Sequence, residues 1–185
     1  GASFEDLEED AKKYLSKPFP KIKEGLILAD SGFPIVCMDS SDGIIGCLYE
    51  LAELNKISII VEDSLLLPNE KLKKYCELQG TDYRNYMMAL GGWELVFGCR
   101  KEDVQKLQLL FRQNNTDFKV IGYASSYEAG TVLLHKNETL YRINDFSSRR
   151  FSRESMFSHG LAPIIDMLSA NQFSVIQGVK KENNV

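Results

Sequence analysis

The stretch Ile35-Val36-Cys37-Met38-Asp39-Ser40-Ser41-Asp42-Gly43-Ile44-Ile45 decides how this chain is read. Residues 33–38 are nearly all apolar and include Ile and Val, the pattern of a strand buried on both faces. The run ends on an aspartate, followed by two hydroxyl residues, a second aspartate and a glycine. Over residues 44–55, Ile44, Leu48 and Leu51 then recur at helical spacing. Ala52 and Leu54 widen that face, and Glu50 and Glu53 fall away from it. The polar knot at 39–43 therefore joins a strand to a helix N-terminus. Such a junction suits a phosphate, a divalent cation, or both. A plainer use is also open. Asp39, Ser41 and Asp42 are helix-capping residue types, and a cap contributes roughly 0.5–2 kcal/mol.

Upstream, residues 4–15 read as a helix with acidic residues first and Lys12 and Lys13 later, the order its dipole favours. Pro18 and Pro20 break the pattern. A second helix is expected over 21–30, with Ile22, Leu26 and Ala29 on one face and Gly32 as its stop.

Downstream, residues 57–61 suggest a strand and 63–68 a loop. Asn69 can cap a helix that Gly80 ends, and Thr81 or Asp82 can cap another reaching Leu90. Gly91-Gly92 breaks the chain before a strand at 93–99, which Trp93 opens as a core residue. Residues 101–113 read as a helix with Val104, Leu107, Leu110 and Phe111 inward. Strands are expected at 118–124 and 131–134, and Lys136-Asn137-Glu138 can turn the latter into a hairpin with 139–143. A basic, serine-rich stretch at 147–153 carries Arg149, Arg150 and Arg153, which read as a solvated surface. A helix can follow within 152–170, with Pro163 interrupting or opening its later half. The mixture of strands and helices, with a hairpin late in the chain, points to an α+β fold: a mixed sheet flanked by helices.

The 185 residues are enough for one domain with a substantial core. The net charge is −4 and there is no basic stripe, so nucleic acid is excluded as the default partner. No membrane-length apolar segment or signal peptide is present, so no membrane association is expected and a cytoplasmic location is. Gly1-Ala2-Ser3 has the composition of an expression-tag remnant. None of Cys37, Cys47, Cys76 and Cys99 forms a CxxC pair, which argues against zinc; buried free thiols are expected. His135 and His159 stand far apart and neither is read as a catalytic base.

Asp39-Ser40-Ser41-Asp42-Gly43-Ile44 resembles the Asp-x-Ser-Asp-Gly-Leu motif of thiamine-monophosphate kinases, of the aminoimidazole ribonucleotide synthase-related superfamily. The segment from Tyr14 to Pro20, with Gly25, resembles that family's proline-containing approach to the motif strand. The segment from Ala89 to Phe97, with Gly91-Gly92-Trp93-Glu94-Leu95 at its centre, resembles a second signature, Gly-Gly-Glu-Asp-Tyr-Glu-Leu. Val120-Ile121-Gly122 resembles an Ile-Gly near a late strand. The correspondence runs in order over residues 14–145.

The resemblance implies the C-terminal domain of an ATP-dependent kinase that converts thiamine phosphate to thiamine diphosphate. It assigns Asp39 and Asp42 to Mg2+, Ser41 to ATP, and Gly91, Gly92 and Glu94 to the substrate; it identifies no catalytic residue. It also implies a phosphorylated small-molecule substrate, a preceding N-terminal domain of the same polypeptide that supplies the rest of the site, and a homodimer of the full-length protein. The isolated chain is then expected to be inactive. The boundaries expected are 1–20 for an N-terminal helix and linker, 21–146 for the kinase-type domain and 147–185 for a helical extension and tail.

Two departures stand out. The chain passes from Gly92 straight to Trp93-Glu94, omitting the acidic pair that the family carries there and whose first Glu it uses for substrate. Asp145-Phe146 and Arg149-Arg150-Phe151 match only loosely the family's aromatic-His-Phe ending. Two alternatives follow: a ligand-binding or regulatory module with a decayed site, or a related ATP-dependent synthase. The synthases carry glycine- and threonine-rich motifs where this chain has Ser40-Ser41-Asp42.

Overall fold

The structure, a computed structural model, describes residues 19–41, 43–89, 93–144 and 176–177. The expected helix at 4–15, Asp42, Gly91-Gly92, and the expectations for 145–175, including His159 and the arginine cluster, lie outside the described residues.

Helix α1 (Ile22–Asp30) leads into strand β1 (Ile35–Asp39), helix α2 (Ile44–Asn55) and strand β2 (Ser58–Glu62). A single 3-10 turn (Asp63–Leu65) precedes helices α3 (Glu70–Gln79) and α4 (Tyr83–Ala89). Strand β3 (Leu95–Cys99) follows. A second 3-10 turn (Lys101–Asp103) then runs directly into helix α5 (Val104–Gln113). Strands β4 (Gly122–Ser125), β5 (Thr131–Lys136), β6 (Thr139–Ile143) and β7 (Ile176–Gln177) complete the order.

The strands form two sheets. β1 and β3 pair antiparallel, with Asp39 opposite Leu95 and Ile35 opposite Cys99. The larger sheet has the order β4-β2-β5-β6-β7. Within it β2 and β5 run parallel, and the other neighbours are antiparallel. The α+β class and the mixed sheet expected from the sequence are therefore present.

Local chemistry explains the elements. The Asn69 side chain accepts the Leu72 N–H at 2.8 Å and caps α3, which Gly80 ends in the left-handed region. The β5–β6 hairpin turns at Asn137 and Glu138, both at positive φ (48° and 61°). Two left-handed residues match the twist of the flanking strands, and asparagine tolerates that conformation well.

Two apolar cores hold the layers. In the first, Ile45, Leu48 and Ala52 of α2 lie on Val61, Val132, Leu134 and Ile143 of the large sheet, with Met88 of α4 and Leu66 joining them. In the second, Leu28 of α1 packs with Leu107 and Phe111 of α5, against Ile35, Phe97, Cys99 and Phe118. Three rings of that core touch. The Phe97–Phe118 and Phe111–Phe118 pairs meet edge-on at 5.0 and 4.9 Å, and Phe97 stacks on Phe111 at 6.0 Å. A fully buried Phe contributes roughly 1.5–3 kcal/mol.

Five expectations are corrected. β1 is not buried on both faces: Val36, Cys37 and Asp39 are exposed. Among the described residues only β3 pairs with it, so it lacks the second flanking strand that such burial requires. Cys37 is accordingly an exposed thiol and Cys99 a half-buried one, whereas Cys47 and Cys76 are buried as expected. α1 turns Leu28 inward while Ile22 and Leu26 stay exposed, because its contact is with α5 through Leu28 and Ile27. Leu54 of α2 is likewise exposed, and Trp93 lies before β3 rather than in it and is 45% exposed.

Candidate functional site

β1 delivers Asp39 to the end of the two-stranded sheet, and α2 begins five residues later. Gly43 precedes α2 at φ 92° and ψ 152°, which suits a residue without a Cβ. Its N–H donates to the Ser40 carbonyl at 2.9 Å and closes a tight turn. The Ser41 N–H points back to Asp39 Oδ2 at 3.4 Å. The N-terminal, anion-favouring end of α2 follows directly on this turn.

The turn is fastened to the segment before β3. The Ser40 N–H donates to the Glu94 carbonyl at 2.9 Å, and the Ser40 hydroxyl accepts the Glu94 N–H at 3.0 Å. Ser40 is fully buried. The carboxylate of Glu94 reaches Lys21, at the start of α1, with Nζ 3.2 Å from Oε2. Both side chains remain partly in water, so the pair orients Glu94 more than it stabilises the fold.

The structure thus brings Asp39, Ser41 and Glu94 to one end of the small sheet. Asp42, Gly91 and Gly92 fall outside the described residues. Ser40 and Lys21 were not singled out from the sequence. Ser40 occupies the motif's unspecified position, and Lys21 directly follows the proline segment. Only proximity to Glu94 gives either a part.

Burial is the first cause that raises the Cys47 thiol, to about 12, and the Asp39 charge adds to it. Cys47 is therefore a packed thiol in the first turn of α2, not a nucleophile.

The donor set tests a metal directly. Among the described residues, no three His, Cys, Asp or Glu side chains converge as a metal cage. Asp39 is an exposed carboxylate at the sheet end. That does not suit zinc, which takes three or four protein ligands. It does suit Mg2+, which takes one or two carboxylates, keeps several waters and completes its shell with phosphate oxygens.

A second polar cluster lies where β2 ends. Arg84 donates to both Asp63 oxygens, at 2.5 and 2.8 Å, and to both Asp82 oxygens at 3.0 Å. Its guanidinium lies over the Tyr83 ring at 4.6 Å. Burial alone would lower its pKa, but the Asp63 hydrogen bonds and the Asp82 charge outweigh that and raise it. With its nitrogens committed to two carboxylates, Arg84 is a structural tie between the 3-10 turn and α4. Next to it, Glu62 and His135 face each other across the parallel β2–β5 pair at 3.0 Å.

Comparison with known proteins bears out the resemblance. The chain is 28% identical over 136 residues to the thiamine-monophosphate kinase of Buchnera aphidicola subsp. Schizaphis graminum (strain Sg), covering 70% of this chain and 39% of that protein. It is 29% identical over 139 residues to the corresponding protein of Buchnera aphidicola subsp. Acyrthosiphon pisum (strain APS), with the same shares covered. The chain therefore spans 39% of the length of these curated relatives. No family model matches it.

Among solved structures, the thiamine-monophosphate kinase of Stenotrophomonas maltophilia K279a superposes with a TM-score of 0.60 at 21% identity, over 72% of this chain and 41% of that one. AaThiL complexed with AMPPCP and TMP gives 0.54 at 22% identity, over 72% of this chain and 39% of that one. E. coli HypE, a hydrogenase maturation protein, gives 0.56 at 16% identity, over 66% of this chain and 38% of that one. These likenesses establish a shared fold. That the fold serves differently named proteins means the site, not the fold, must decide the activity.

Proposed function

We propose that this chain, thiamine-monophosphate kinase-like in sequence and in fold, is the C-terminal part of an ATP- and Mg2+-dependent kinase acting on a phosphorylated small molecule, thiamine monophosphate or a close analogue. One observation carries the reading. Sequence similarity to two curated thiamine-monophosphate kinases covers 70% of the chain, and the motif residues Asp39 and Ser41 stand at a strand–helix junction suited to phosphate.

The roles follow from chemistry. Asp39, with Asp42, would hold Mg2+ against the nucleotide phosphates; the metal supplies charge neutralisation when bound. Ser41 and the N-terminal end of α2 offer donors to phosphate oxygens. Glu94, held by Lys21, is the described residue that would face the acceptor, with Gly91-Gly92 preceding it in the chain. An acceptor phosphate is already anionic, so no strong base is needed, and the work is alignment and charge balance. The remainder of the relatives' length, 61%, leaves room for the preceding domain that would complete the site and form the homodimer.

The full-length protein that carries this chain should convert thiamine monophosphate and ATP to the diphosphate in the presence of Mg2+. Asp39→Asn should abolish turnover while the protein stays folded. Full activity in Asp39→Asn, or no transfer to any phosphorylated acceptor by the wild type, would sink the reading.

A further inference from the structure

We propose that Ser40 is a positioning residue that sets the distance between the nucleotide end and the acceptor end of this site; the inference rests on the function proposed above. The resemblance gives Ser40 no role, because its motif leaves that position open. In this chain it is fully buried, although the residues on either side, Asp39 and Ser41, reach the surface.

Three of its groups are engaged. Its carbonyl accepts the Gly43 N–H, which shapes the turn leading into α2. Its N–H and hydroxyl take both main-chain groups of Glu94. One residue therefore locks the Asp39 turn and Glu94 into a single register.

The chemistry explains why a hydroxyl is needed. The regular β1–β3 ladder pairs Asp39 with Leu95 and goes no further. One more antiparallel step would bring a main-chain acceptor to the Glu94 N–H. At Ser40 the chain is already turning, and the side-chain oxygen takes that place. Without it the Glu94 amide loses its acceptor, and the segment from Trp93 is free to shift. Trp93 is held at φ 54°, a costly conformation for an aromatic residue. This is also where the chain omits the family's acidic pair. The open position of the motif and the shortened approach to β3 thus meet at the Ser40–Glu94 contact. The carboxylate that remains, Glu94, is fixed at its backbone by Ser40 and at its tip by Lys21.

A displacement on the order of 1 Å at a reacting group can cost about a hundredfold in rate. In the full-length protein, Ser40→Ala should lower kcat about tenfold or more, with little change in KM for ATP. Non-additivity distinguishes positioning from general structural support. If Ser40 acts through Glu94, adding Ser40→Ala to Glu94→Gln should cost little beyond Glu94→Gln alone. Melting temperatures are compared in parallel. Should Ser40→Ala not fold, Ser40→Cys keeps nearly the same volume with a weaker acceptor and serves instead. Wild-type kinetics in a folded Ser40 variant, or losses that multiply with Glu94→Gln, would overturn the proposal and leave the kinase reading standing. Absence of phosphoryl transfer by the wild type would overturn both.

Discussion

Ser40 and Glu94 hold each other at two points, N–H to carbonyl at 2.9 Å and hydroxyl to N–H at 3.0 Å, although 54 residues separate them in sequence. The bond extends the β1–β3 ladder by one step with a side chain in place of a main-chain carbonyl. It joins two of the stretches that carry the family resemblance, the motif at 39–44 and the segment at 89–97. Each stretch supplies a carboxylate, and the bond fixes their relative placement.

Gly122 offers a sharp test of the larger sheet. A Cβ there would lie 2.0 Å from the Ile60 carbonyl oxygen. β4 thus approaches β2 more closely than any side chain permits. Gly122→Ala should destabilise by about 3 kcal/mol or more, read as a lower urea midpoint. An unchanged midpoint would mean that the strands do not cross so closely in solution.

Removing Arg84 should be costly. Its side chain is 9% exposed and that of Asp63 18%, so Arg84→Met strands a partly buried carboxylate. We expect a loss of about 3 kcal/mol. The Asp82 limb is more exposed and contributes little of it. Arg84→Met with Asp63→Leu should regain much of the loss, because the stranded charge goes with its partner. Denaturant melts of the single and double variants decide the matter.

Acid should loosen the tie between α1 and the segment that follows α5. The Thr116 hydroxyl donates to Glu24 at 2.8 Å and is the first cause of the lowered Glu24 pKa, with Lys21 and Lys23 assisting. A carboxyl held below its unfolded value of 4.5 contributes stability that is present above that value. The contribution is lost as pH falls through the lower, folded pKa. Thr116→Val should therefore cost stability at pH 7 and progressively less as the solution is made more acidic than pH 4.5. Equal costs at pH 7 and in strong acid would refute the assignment.

The thiols should separate by reactivity. Cys37 is exposed on β1, whereas Cys47 and Cys76 are buried, and burial pushes the Cys47 thiol up to about 12. A small alkylating reagent at mild alkaline pH should label Cys37 well ahead of Cys47, as peptide mapping would show. Cys37 lies two residues before Asp39, so Mg2+ and an ATP analogue bound to the full-length protein should slow its labelling. Faster labelling of Cys47 would contradict the packing of α2.

Much of the fold was legible because its signals are local. α2 has the limits its periodicity predicts, residues 44–55, and the Asn69 cap and the 136–138 turn are written in single residues. What the sequence hid are matters of neighbourhood. The apolar run of β1 reads the same whether one strand or two lie beside it. Ile22 and Leu26 have the right spacing but face away from α5. Arg84 finds Asp63 across 21 residues, and no periodicity marks such a pair. At the site, Asp39, Ser41 and Glu94 could be named from motifs, whereas Ser40 and Lys21 needed the distance to Glu94.

β3 has one further property. Val96 packs against the core beneath α2, while its neighbour Phe97 belongs to the core between α1 and α5. The strand is a party wall: each side chain presses into a different room. A vacancy opened in either room moves the same wall, and Glu94 is the last brick before it begins. Substitutions far from the site, in either core, should therefore be felt at Glu94, and the two cores should melt together.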